Sequence, residues 1–199
     1  MPKRFAKVLP WHNLSPLKLL SDQTQNMFRS LKIRDVRIDD LNDLLGLNQS
    51  NLPHVGAISM SDMEHLHTQA VYFRVAECEG QAAGFLIAFD PQADYSSLNF
   101  QWFKKHYKAF VYIDRIVVAP DSRRKGIAFS LYQDLEHFAA QRNMPIMTCE
   151  YNLQPKNEIS RQFHQKYGFK EVGTQKTENG KKTVSLQIKR VVPPPSSIE

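Results

Sequence analysis

Two hydrophobic rhythms alternate along the chain. In "LKIRDVRI" apolar and polar residues roughly alternate, which predicts a short strand. "DDLNDLLGLNQ" then places Leu41, Leu44 and Leu45 at helical spacing behind the acidic pair Asp39–Asp40. Pro53 and Gly56 break the chain, and "SDMEHLHTQA" reads as a second helix with Ser61 as its N-cap. "VYFRVAECEGQAAGFLIAFD" has two β-prone arms around Glu79–Gly80, the pattern of a hairpin. Residues 91–109 are rich in aromatic and polar groups but show no clear period. "FVYIDRIVV", Phe110 to Val118, is almost continuously apolar, as expected of a central strand covered on both faces. A helix follows from about Gly126, with Ile127, Leu131, Leu135 and Phe138 in one stripe. "MPIMTCEY" is a strand, and "NEISRQFHQKYGF" is a helix closed by Gly168. "FKEVGTQ" and "KKTVSLQIKR" are strands joined at Glu178-Asn179-Gly180. The order β-α-α-β-β-β-α-β-α-β-β predicts a mixed α/β layer fold.

The pattern also sets boundaries. Residues 1–31 form a basic, proline-punctuated extension, 32–190 carry the periodic segments, and 191–199 form a proline-rich end expected to be flexible. At 199 residues with 42% hydrophobic and 23% charged content, one globular domain is expected. Apolar runs are too short to span a membrane, and prolines and polar residues interrupt the N-terminal segment where an export signal needs continuity. The two cysteines, Cys78 and Cys149, lie in apolar runs and read as buried thiols of a reducing, cytoplasmic setting. The net charge of +6 favours anionic partners.

The cations are not spread evenly. "APDSRRKGIAFSLYQDLEHF" puts Arg123, Arg124, Lys125 and Gly126 between the apolar strand and the next helix. The first N–H groups of a helix have no internal partners, and the helix dipole makes that end partially positive. A glycine lets the backbone approach an anion closely. Strand, basic-glycine turn and helix start together predict a phosphate site. Neither the Walker loop G-x-x-x-x-G-K-[ST] nor the dinucleotide fingerprint G-x-G-x-x-G is present.

Arg123-x-x-Gly126-x-Ala128 after "VVAP" resembles the acetyl-CoA loop of the GNAT N-acetyltransferase superfamily. "NEISRQFHQKYGF" resembles that family's second motif, an Asn followed by a helix with F-[YH]-x-x-x-G-F. "CEYNLQPKNEISRQFHQKYGF" is also similar to uncharacterised bacterial members with a Cys-Glu-x-Asn run. The resemblance covers residues 32–190 and implies a mostly antiparallel central sheet flanked by helices, with a central strand pair that splays apart around acetyl-CoA. It implies that Ile116, Val117 and Val118 bind the pantetheine arm through their backbone. The pyrophosphate would be wrapped by Arg124, Lys125, Gly126, Ile127, Ala128 and Phe129, with Arg123 in support. Asn157 would reach the cofactor's amide arm. Many members have Tyr where His164 stands, used to protonate the departing thiolate; here Tyr167 lies one turn on, and the acid is open between the two. GNAT relatives are often dimers, so a homodimer is one expectation.

The implied chemistry is direct attack of a primary amine on the thioester carbonyl in a ternary complex. The oxyanion would be held by the backbone N–H of Val117 or its neighbour. Glu150, at the end of its strand, is a candidate base, a clamp for the substrate's charge, or a structural acceptor. Asp114 is a second candidate base, with a strand-end ion pair to Arg115 or a lysine as the plain reading. Cys149 lacks a neighbouring base and reads as a core thiol. His65 and His67 are two apart on a helix, so no metal site is expected. Residues 91–109 are expected to form a lid or wall over the acceptor. The alternative functions are a non-catalytic CoA-binding module and a basic nucleic-acid-binding protein. Nucleic acid is not expected, since the cations are scattered outside this turn.

Overall fold

The computed structural model describes residues 31–192. The basic extension, apart from Leu31, and residues 193–199 of the tail lie outside them. Seven strands form one sheet: β1 (Lys32–Asp35), β2 (Tyr72–Cys78), β3 (Gln81–Phe89), β4 (Val111–Val118), β5 (Ile146–Gln154), β6 (Lys170–Thr177) and β7 (Lys182–Arg190). Their order across the sheet is β1-β2-β3-β4-β5-β7-β6. Every neighbouring pair is antiparallel except β4 and β5. Among the described residues five α-helices cover it: α1 (Leu41–Gln49), α2 (Met60–Gln69), α3 (Leu98–His106), α4 (Ile127–Gln141) and α5 (Glu158–Tyr167).

The two faces carry separate cores. Leu41 and Leu44 of α1, Met63 and Leu66 of α2, and Phe100 and Phe103 of α3 pack with Phe73, Val75, Phe85 and Ile87 on one side. Ile127, Leu131, Tyr132, Leu135 and Ala139 of α4 pack with Ala76, Leu86, Val111 and Met147 on the other. The stripe expected for this helix is therefore its buried face. β4 is buried on both faces, with Val111, Tyr112, Ile113 and Val117 all at most 3% exposed.

Three local features differ from the sequence expectations. Ser59, not Ser61, caps α2. Its hydroxyl accepts from the Asp62 N–H, and the Asp62 carboxylate takes the Ser59 N–H in return. This reciprocal box starts the helix two residues earlier than Ser61 would and satisfies two otherwise unpaired donors. The aperiodic insert contains α3, capped by Ser97. Its Trp102 presses on β6, where a Cβ on Gly173 would lie 3.3 Å from the indole. Finally, Val191 belongs to the packed body: it is 9% exposed, and its N–H donates to the Pro145 carbonyl.

Two irregularities mark β4. Across from β3, Ala88 pairs with Ile113 and Ile87 with Arg115, which leaves Asp114 as an extra, unpaired residue. Such a bulge shifts the strand's alternation by one. Tyr112 therefore shares its face with Val117 rather than with Ile116. On the other edge, only Val111–Met147 and Tyr112–Thr148 hold β4 to β5. Beyond them β4 follows β3 as far as Val118–Gly84, while β5 follows β7 as far as Gln154–Thr183. The sheet parts there into a wedge between parallel strands.

Candidate active site

The wedge has one backbone wall and one acidic wall. On the β4 wall the Ala119 N–H donates to the Ala83 carbonyl. Antiparallel ladders alternate, so the polar groups of Val117 also face β3, opposite Phe85, and those of Ile116 and Val118 face the opening. Within the expected trio, the two outer residues are thus the ones free to bind a ligand. Gly84 permits this close approach, since a Cβ there would sit 2.7 Å from the Val117 carbonyl oxygen.

At the end of β4 the chain runs through Pro120–Ser122 and the basic turn into α4. Gly126 is the N-cap residue, with φ +81°, and Arg124 has φ +60°. The first internal helix bond runs from the Ser130 N–H to the Gly126 carbonyl. The N–H groups of the preceding residues are therefore free of helical partners, and a 15-residue dipole stands behind them. Arg123 donates to Asn51 Oδ1 at 2.8 Å, which ties the turn to the end of α1. Arg124 and Lys125 form no ion pair with any described residue, and Phe129 is 46% exposed. Unpartnered backbone donors and two cations without a described ion pair thus meet at this turn.

Glu150 stands on the acidic wall. Asn99 Nδ2 and the Tyr112 hydroxyl both donate to its Oε1, at 2.9 and 3.0 Å. Its Oε2 is out of contact with solvent and has no hydrogen-bond partner among the described residues. Burial pushes the carboxyl from 4.5 up to about 7, against the pull of the two donors, and the nearby Asp114 charge adds to the rise. A carboxylate with a vacant buried oxygen and a pKa near neutrality is suited to take a proton or to face a cation. Asp114 is different. Arg115 Nε binds it at 2.6 Å, Tyr95 donates its hydroxyl to it, and Arg115 reaches Asn48 Oδ1 at 3.0 Å. Its plain reading as an ion pair is what the structure holds.

The candidate acids, three residues apart, share one face of α5. His164 is 4% exposed. Its Nδ1 lies 2.7 Å from the Ser160 carbonyl, which only accepts, so Nδ1 carries the hydrogen. Nε2 then accepts from the Tyr132 hydroxyl at 3.0 Å. Burial lowers the ring's pKa from 6.5 to about 4. Tyr167 donates to Glu136 Oε2 at 3.0 Å, and burial, with Glu136 beside it, raises its pKa. Both polar tips are thus occupied within the protein. Asn157 caps α5, its Oδ1 accepting from the Ser160 N–H at 3.0 Å. Cys149 is buried, which pushes its thiol pKa up.

Tyr132, Tyr112 and Asn99 were not singled out by sequence. Tyr132 reads as one more apolar position of a helix stripe, and Asn99 sits in a segment without period.

The neutral, buried state of His164 has a measurable consequence. Its folded pKa lies below 6.5, so its contribution to stability is complete above about pH 6.5 and is lost as pH falls toward 4. The loss amounts to about 3 kcal/mol. Urea unfolding of His164→Phe is expected to show a smaller drop than the native chain between about pH 7 and pH 4.5. An equal drop in both would contradict the buried neutral ring.

Comparison with known proteins agrees with this geometry. The model of the Acetyltransferase (GNAT) family matches residues 41–169, and the chain belongs to that family. No curated protein matches by sequence. Among solved structures, the ribosomal-protein-S18-alanine N-acetyltransferase of Escherichia coli aligns at 16% identity and TM-score 0.62, over 85% of this chain and 99% of that one. Ard1 from Thermoplasma volcanium aligns at 18% identity and TM-score 0.67, over 82% and 99%. An aminoglycoside 6'-N-acetyltransferase complexed with coenzyme A aligns at 18% identity and TM-score 0.64, over 82% and 99%. The protein is an acetyltransferase, on the fold that the two motifs implied. No helix among the described residues is long and apolar enough to cross a membrane.

Proposed function

We propose that acetyl-CoA is the protein's own donor and binds in the wedge between β4 and β5. Its pyrophosphate lies on the turn from Arg124 to Phe129, and its pantetheine arm pairs with the backbone of Ile116 and Val118. Arg123 supports the turn from behind, and Asn157 stands at the opposite wall, at the start of α5. The acceptor is a primary amine that meets Glu150. The observation that carries this reading is Glu150 Oε2, a buried carboxylate oxygen without a hydrogen-bond partner among the described residues, on β5 just past its last pairing with β4.

The reaction is direct transfer. An amine arriving as ammonium gives a proton to Glu150 Oε2, and its nitrogen attacks the thioester carbonyl. The C–N bond forms and the carbonyl oxygen becomes an oxyanion, which a wedge-facing N–H of β4 stabilises. The C–S bond then breaks and CoA leaves as thiolate, while the nitrogen sheds its surplus proton to solvent, from which the thiolate takes one up. Most of the acceleration comes from holding the two reactants together, worth about 7–11 kcal/mol, and the base adds about 10²–10⁴-fold. His164 and Tyr167 serve as packing groups that shape the α5 wall, since their polar atoms are engaged. Backbone donors can stabilise the leaving thiolate, and its proton comes from solvent.

Free-thiol release from acetyl-CoA across a panel of amines, with product masses, tests this function. Thiol release that requires an amine, with acetylated product, is the expected result. CoA binding without amine-dependent release would favour the non-catalytic module, and steeply salt-dependent binding to plain DNA would favour the nucleic-acid reading.

A further inference from the structure

Glu150 does not hold its position alone. Gln175 of the outer strand β6 donates from Nε2 to Asn99 Oδ1 at 2.9 Å. Asn99, on the first turn of α3, donates from Nδ2 to Glu150 Oε1. An amide side chain can be turned over by half a rotation, which exchanges donor and acceptor. Here the ionised carboxylate, which only accepts, and Gln175 at the other end together favour one setting. With its NH₂ group against Asn99 Oδ1, the Asn99 NH₂ must face the carboxylate. Asn99 is 8% exposed, so water does not compete strongly for either amide bond. Tyr112 supplies the second donor to the same oxygen.

We propose that Gln175 and Asn99 form a two-amide relay that orients the Glu150 carboxylate, directing its basicity to Oε2. They are positioning residues for the transfer reaction, and α3 is the element that brings the relay to the site. The inference rests on the reading of Glu150 as the proton acceptor. Its chemical logic is simple. Two donors on Oε1 occupy the lone pairs on that oxygen, so the proton from the amine goes to Oε2. The same bonds favour the ionised form, which keeps the base available near neutral pH. The relay also assigns a purpose to the insert: residues 91–109 wall the site and, through Asn99, set its base.

Other titratable and charged groups act on Glu150. Asp114, Tyr112 and Tyr95 act from β4 and the segment before α3, with Arg115 paired to Asp114. Cys149 and Tyr132 interact with Glu150 electrostatically from β5 and α4. None of these changes when Asn99 or Gln175 is replaced, so a pH shift in such variants reports on the relay.

The test is the pH dependence of kcat/KM in Asn99→Ala, Gln175→Leu and the double variant, alongside Glu150→Gln. A hydrogen bond to an ionised group is worth about a tenfold change in its proton affinity. Asn99→Ala is therefore expected to move the acidic limb upward by roughly one pH unit. Gln175→Leu should move it in the same direction by less, because Asn99 remains but is free to turn over. The double variant should match Asn99→Ala, since Gln175 acts only through Asn99. Asn99→Ser, which keeps a donor, should recover part of the shift. Additive shifts, or an unmoved limb in folded single variants, would overturn the relay. Full activity in Glu150→Gln would instead remove the reading of Glu150 beneath it, so the two failures are distinct.

Discussion

Replacing Glu150 by glutamine is expected to lower kcat by about 10²–10⁴-fold while CoA affinity stays the same. The amide keeps the shape and can still accept from Asn99 and Tyr112 at the Oε1 position, but it cannot take a proton. The acidic limb of the pH–rate profile, expected near the carboxyl's pKa of about 7, should flatten. A second readout comes from stability. The folded pKa is raised above 4.5, so the group's contribution is complete below about pH 4.5 and is lost as pH rises through about 7. Above that pH the ionised carboxylate is a burden of about 3 kcal/mol, and Glu150→Gln is expected to be the more stable protein by an amount of that order. Lost activity with a raised melting temperature at alkaline pH would separate a catalytic base from a structural acceptor. A rise in acceptor KM at every pH, with kcat intact, would make Glu150 a charge clamp instead.

Gly126→Val is expected to weaken CoA binding at least tenfold, about 1.4 kcal/mol in calorimetry. Two causes act together. At φ +81° a β-branched residue is strained, so the turn must move. A side chain there also stands between the backbone donors and the phosphates. Circular dichroism would confirm that α4 still forms, since the substitution lies at its cap and not in its body. Unchanged affinity in a folded variant would contradict the phosphate-turn reading.

What the sequence made legible was local. Gly126 before α4 and Gly168 after α5 mark helix ends because both take positive φ, and Gly168 does so at +100°. The hairpin turn at Glu79–Gly80 is visible for the same reason, both residues having positive φ. Glu150 was legible as a candidate from its place at the end of an apolar strand. What was not legible depends on partners distant in the chain. The bulge at Asp114 exists only against β3, because "FVYIDRIVV" alone shows no extra residue. α3 escaped notice because Leu98, in its first turn, is 61% exposed while Asn99 is buried, which blurs the helical period. The relay joins Asn99 to residues 51 and 76 positions away, and no spacing rule connects them. His164 shows the opposite limit. Its position in a family motif suggested chemistry, while its surroundings, Tyr132 on one nitrogen and the Ser160 carbonyl on the other, hold it as a buried neutral ring.

The central claim is that CoA enters where β4 and β5 part. Backbone hydrogen exchange with and without CoA tests it most directly, because the donors in question are main-chain N–H groups. Slowed exchange is expected at Ile116 and Val118 and across the turn from Arg124 to Phe129, with little change at the outer strands β1 and β6. Unaltered exchange at the wedge under saturating CoA, or protection confined to another surface, would contradict it.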